Sequence, residues 1–229
     1  MIVGCGMMAQ AFAPFRNDQG VLIFASGVSD SLETRPSEFA REKSLLAKAR
    51  SEHPDKLLVY FGTCSVEDPD RARTPYVAHK IGIESLLEDA GSPWMVLRLP
   101  LAVGPDRKGH TLAPFLYQRI SRGERFEVWE HATRYPVDVA DVLRIAQRFI
   151  STRALWSRRI NVALRAFPVL EFVRVMQSIV GRRALYDLVP KGGHYPIHCP
   201  EVAALAQKLN LDLSDRYLEC ILRKYFSDR

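Results

Sequence analysis

Three short runs in the first hundred residues are apolar almost from end to end: 21–25 (VLIFA), 56–62 (KLLVYFG) and 94–99 (WMVLRL). A strand with one face in water alternates apolar with polar. Runs without alternation need cover on both faces, which is the condition of a parallel sheet packed between helices. The segments between them have helical spacing: 37–52, and then 76–90, which carries Ile81, Ile83, Leu86 and Leu87. A shorter apolar strand, 1–3, precedes them and leads through a glycine-containing turn into a predicted helix at 8–15. Strand and helix therefore alternate, and the fold class is α/β, with a Rossmann-like, mostly parallel sheet covered on both faces by helices.

After Gly104 the pattern loosens. Helices are predicted at 112–120, 139–150, 170–180, 200–209 and 218–225, with short strands at 126–129, 159–162 and 184–189. The 229 residues suffice for one domain. We read 1–229 as a single truncated Rossmann-like domain in which residues from about 105–135 and 165–229 contribute to a small C-terminal substrate lobe. Such a lobe would rest on the carboxyl ends of the strands, where open α/β sheets bind ligands.

Composition excludes several classes. Hydrophobic residues make up 47% and charged residues 25%, as in ordinary globular proteins. No run approaches the roughly 20 apolar residues of a membrane helix, and the first residues do not form a secretory signal. The four cysteines, Cys5, Cys64, Cys199 and Cys220, have no CxxC or metal-ligand spacing, so no metal is expected and a reducing cytoplasm is the simplest location. The net charge of +6 is spread along the chain, so nucleic acid is not an expected partner. An anionic small molecule accounts for a diffuse basic excess as well as solubility does.

Two short patterns carry chemistry. Gly4-Cys5-Gly6-Met7-Met8-Ala9 fits GxGxxA between a strand and a helix. There the backbone approaches an anion held at the helix N-terminus; glycines at this place also serve simply to make a tight turn. Tyr76-Val77-Ala78-His79-Lys80 is a YxxxK pattern at a helix start. Residues four apart share one helical face, so an ammonium near the phenol would lower its pKa and suit it to proton transfer at a carbonyl or alcohol. The alternative is a solvated surface pair. Upstream, at the end of the third strand, stands Thr63-Cys64-Ser65-Val66, whose hydroxyl would polarise the same carbonyl. Cys64 reads either as a thiol acid/base or as a small buried residue.

This ordered set resembles the extended short-chain dehydrogenase/reductase superfamily, in its NAD-dependent epimerase/dehydratase branch. The resemblance rests on Thr63 to Val66, Tyr76, Lys80 and Glu84, the stretch from Leu97 to Pro100 with Gly104-Pro105, the segment from Thr133 to Val142, and Asn161-Val162. It implies Thr63, Tyr76 and Lys80 as the catalytic set. Gly4, Gly6, Met7 and Met8 match the pyrophosphate turn, Ala25 and Ser26 the small-residue strand end beside the cofactor, and Leu99 and Pro100 the loop flanking the nicotinamide. Arg134 matches a basic position that reaches the substrate's diphosphate, with an ion pair to Asp138 as the competing reading. His110 falls where the family places a side chain facing the sugar, or is simply a loop histidine. The cofactor implied is NAD or NADP, the partner a nucleotide-sugar substrate, and the default assembly a homodimer.

One departure is large. Two strand–helix units are missing near the N-terminus, between the glycine turn and the strand at 21–25, and no residue corresponds to the one that reads the adenosine ribose. The positions after Thr63 are Cys64 and Ser65, where the family's dehydratases carry Asp-Glu, so dehydration is disfavoured. The expected activity is reduction of a nucleotide-linked keto sugar. Epimerisation and a catalytically silent, dinucleotide-sensing or partner-binding protein are the alternatives.

Overall fold

A computed structural model describes residues 1–89, 91–107 and 111–227. Its centre is a five-stranded parallel sheet of β1 (Ile2–Val3), β2 (Val21–Phe24), β3 (Leu57–Thr63), β4 (Trp94–Leu99) and β9 (Arg158–Asn161), in the order β1-β2-β3-β4-β9. The continuous apolar runs are explained by their two covered faces. Leu57 and Val59 of β3 enter one core with Phe12, Leu97, Ile145 and Phe149, whereas Leu58 and Tyr60 enter the other with Phe24, Leu46, Ile83 and Leu87. The first core lies beneath α1 (Met7–Ala11), α5 (Val139–Ile150) and α7 (Pro200–Ala206). The second lies beneath α2 (Pro36–Glu52) and α3 (Pro75–Glu88).

The sheet order advances in one direction, and among the described residues nothing pairs with the outer edge of β1. A doubly wound sheet opens its ligand crevice where the strand order reverses; here the strands that would lie beyond β1 are the ones absent from the sequence. The predicted helix 8–15 is broken in two: α1 ends at Ala11 and a 3-10 turn covers Ala13–Phe15. Pro14 has no N–H to continue the helical ladder.

A third core forms the lobe. It joins α4 (Leu112–Arg122), β6 (Phe126–Trp129), α6 (Val169–Val180), β11 (Tyr186–Val189) and α8 (Tyr217–Phe226) around Leu116, Phe126, Phe172, Met176 and Leu222. Two short ladders stitch lobe to sheet: β5 (Leu101–Val103) with β8 (Pro136–Asp138), and β7 (Thr133–Arg134) with β10 (Phe167–Pro168). None of these four was predicted, being only two or three residues long. Asp138 clamps the junction. It caps α5 through Ala140 N (2.8 Å) and accepts from Lys224 (2.7 Å) and Tyr225 (2.6 Å) of α8.

Candidate active site

Thr63 is the last residue of β3, and its Oγ1 accepts from Ser65 N at 3.1 Å, turning the chain sharply away from the sheet. The chain returns at Thr74, whose side chain caps α3 through Val77 N, with Pro75 in the first helical position. That start places Tyr76 in the first turn, buried, with its hydroxyl near enough to the Thr63 side chain to feel it. Burial pushes the phenol up to about 12, the Thr63 side chain pulls against it, and the negative charge of Glu42 adds to the rise. The fold brings the Tyr76 hydroxyl near the Thr63 side chain, and burial keeps the phenol protonated at neutral pH.

Lys80, one turn further along α3, is 2% exposed. Its Nζ lies 5.8 Å from the Tyr76 ring centre, but its hydrogen bonds go elsewhere: to Glu42 Oε1 at 3.1 Å and to the Tyr60 hydroxyl at 2.9 Å. Glu42, on α2, is fully buried. It also accepts from Tyr60 at 2.5 Å and from Val28 N at 2.6 Å, and its Oε2 lies 2.9 Å from His79 Nε2. Burial pushes this carboxyl up, yet Lys80 and the hydrogen bonds from Tyr60, Val28 and His79 outweigh it and hold it below its usual value. Glu42, Tyr60 and His79 escaped the sequence reading. The available signal was spacing: Glu42 lies on the stripe Phe39, Leu46, Ala49 that α2 turns inward, where a carboxylate needs a partner.

The turn after β1 brings Gly4 against the end of β2. Gly4 has φ +124, and a Cβ there would stand 2.4 Å from Ala25 O, so only glycine fits. Gly6 caps α1, is exposed, and a Cβ on it would meet nothing within 4 Å. Met7 lies across Gly104, Met8 packs on the sheet core, and Ala25 and Ser26 are half-buried beside Gly4. Leu99 ends β4 and Pro100 joins it to β5. Arg134, on β7, donates to Thr133 O at 2.7 Å. It makes no ion pair with Asp138, which is taken by Lys224. Burial lowers the Arg134 pKa, and the like charge of Arg71 lowers it further. Cys64 is buried, donates to Arg98 O, and its thiol is pushed up by burial, which leaves it the small packed residue. His110 lies outside the described residues.

Tested against a dinucleotide, these residues fit one half. The Gly4–Gly6 turn offers open backbone to a pyrophosphate, and Thr63, Leu99 and Pro100 stand at neighbouring strand ends, with Tyr76 at the start of α3, where a nicotinamide would lie. Among the described residues, no strand beyond β1 is present to hold an adenosine.

No family profile matches the chain, and no curated protein matches it in sequence. Solved structures do match, and they define the fold as the Rossmann-like α/β fold of nucleotide-sugar epimerases. UDP-glucose 4-epimerase of Thermus thermophilus, solved with NAD, is 17% identical with a TM-score of 0.67, over 95% of this chain and 81% of that one. UDP-glucuronic acid 4-epimerase of Bacillus cereus, solved with UDP-glucuronic acid and NAD, is 15% identical with a TM-score of 0.71, over 94% and 76%. RMD of Pseudomonas aeruginosa, complexed with NADPH, is 16% identical with a TM-score of 0.67, over 99% and 88%. Among the described residues, no helix is long and apolar enough to cross a membrane.

Proposed function

We propose that the protein is an NAD(P)-dependent reductase of a nucleotide-linked keto sugar. The observation that carries this reading is the buried Thr63–Tyr76 hydroxyl pair, with the phenol held protonated. NAD or NADP would be held by the turn of Gly4, Gly6, Met7 and Met8, by Ala25 and Ser26, and by Leu99 and Pro100; similar structures contain NAD or NADPH. When bound, the reduced cofactor supplies a hydride to the carbonyl carbon. Thr63 hydrogen-bonds the carbonyl oxygen and orients it. Tyr76 gives that oxygen its proton, and the phenolate is reprotonated from water. Reduction needs one proton delivered to the carbonyl oxygen, whereas an epimerase cycle needs the same group to remove a proton and later return it.

Arg134 supports a nucleotide-sugar substrate: a half-buried guanidinium without a carboxylate ion pair among the described residues suits a diphosphate. His110 is proposed beside the sugar on the resemblance alone. Ile81 and Leu86 are exposed on α3, the helix through which the resemblance implies a homodimer. The absent adenosine side favours one alternative, a catalytically silent dinucleotide or partner sensor.

The test is consumption of NADH or NADPH with a nucleoside-diphosphate 4-keto sugar. Oxidation that depends on both components is expected, and none with either cofactor would overturn the reading. In the same assay, Arg134→Ala should raise KM by about 10- to 100-fold, the loss of a charged hydrogen bond of ~1.5–3 kcal/mol, while kcat changes little. A defect confined to kcat would remove Arg134 from substrate binding.

A further inference from the structure

Lys80 is a buried cation whose hydrogen-bond partners all lie below the strand ends. Its ammonium is met by Glu42 from α2 and by Tyr60 from β3, and the backbone of the loop after β2 lies directly over it. A Cβ at Gly27 would stand 2.8 Å from both Lys80 Nζ and Glu42 Oε1. The carboxylate that holds the lysine also holds that loop, through Val28 N, and holds α3 a second time, through His79, whose ring stacks on Phe39 at 4.5 Å. Four separate segments thus converge on one carboxylate.

We infer that Glu42 is a positioning residue that keeps Lys80 charged and fixes both the lysine and the Gly27–Val28 loop beside Tyr76. The inference rests on the proposed role of the Tyr76/Lys80 pair and adds a residue outside the YxxxK pattern. The physical ground is the instability of a lone buried ammonium. Burial disfavours the charged lysine; Glu42 on α2 and Glu84 on α3 favour the charge, Arg41 on α2 opposes it, the phenols of Tyr60 and Tyr76 lie beside it, and the His79 ring contacts the same Glu42. Glu84 is itself engaged by Arg98 and Arg159. Among the described residues, Glu42 is therefore the one carboxylate hydrogen-bonded to Lys80.

Glu42→Gln keeps the shape and removes the charge. Lys80 in the intact, ligand-free protein can be followed by the NMR shift of its 13C-labelled ε-carbon. In the native protein it should stay protonated through neutral pH; in Glu42→Gln its midpoint should fall below neutral, toward the roughly pH 5–6 known for buried lysines without a counter-ion. Reductase activity of the variant, low at neutral pH, should rise as pH falls through that midpoint, because protonation restores the ammonium. A merely structural role would give a loss that is flat with pH. An unchanged Lys80 midpoint in folded Glu42→Gln, or a flat loss, overturns the proposal. If Glu42→Gln does not fold, the double variant Glu42→Gln/Lys80→Met decides. Removing both charges should give a Tm above that of either single variant, and a Tm no higher than the worse single variant overturns the pairing. The NMR titration needs no substrate, so Lys80 behaving as stated in a protein without NAD(P)H turnover would overturn the functional reading and leave the Glu42 inference standing.

Discussion

Tyr76→Phe should lower turnover of a nucleotide-linked keto sugar by about 10²- to 10⁴-fold, the usual contribution of a positioned acid, and leave the fold intact. The substitution deletes one oxygen. Thr63, beside it, keeps its bond to Ser65 N, so the cost in stability should be about 1 kcal/mol. The ring stays packed beside Val28 and Val77, and binding of dinucleotide should be unaffected within about a factor of two. Steady-state rates together with a thermal melt check both halves. A variant that turns over within tenfold of the native rate would remove Tyr76 from the chemistry.

Glu84→Ala should lower stability by about 3 kcal/mol, without touching a group assigned to the reaction. Glu84 is 1% exposed and receives a two-pronged bond from Arg98, Nε to Oε1 at 3.0 Å and Nη2 to Oε2 at 2.6 Å. Arg159 of β9 adds a contact at 3.2 Å. One side chain of α3 thereby ties together β4 and β9, and it sits so close over β3 that a Cβ at Gly62 would meet Oε1 at 2.8 Å. Losing one member of a buried pair costs about 3–5 kcal/mol because the other is left uncompensated; the partial exposure of both arginines argues for the lower end. For a chain of this size that is a Tm decrease on the order of 10 °C. A decrease under about 3 °C would show that the arginines find water instead.

How much of this was readable from the residues depends on how local each cause is. The strands at 21–25, 56–62 and 94–99 and the helix at 76–90 were legible because hydrophobic run and helical spacing act within a few positions; the Thr74 cap and Pro75 that start that helix at 75 were not read. Gly181, at φ +68, ends α6 where the spacing predicted. The missing strands beyond β1 were visible as missing length, and the sheet order reflects them. The small ladders between lobe and sheet were not legible, since β7 and β10 are two residues each and form only when distant segments meet. Thr63 and Tyr76 were read as one set by motif, and the fold brings the two side chains near each other. Lys80 was read as the partner of Tyr76, yet its ammonium hydrogen-bonds Glu42 and Tyr60. That contact joins residues 38 positions apart on two helices. No local pattern reports it, apart from one carboxylate standing on an otherwise apolar stripe.

The central claim is that half of a dinucleotide-binding sheet still binds a dinucleotide. Titrating the purified protein with NADH and NADPH, followed by nicotinamide fluorescence, measures this directly. Saturable binding of at least one of them is expected, with a Kd below about 1 mM, worth roughly 4 kcal/mol or more. No fluorescence change for either cofactor at millimolar concentration would contradict it.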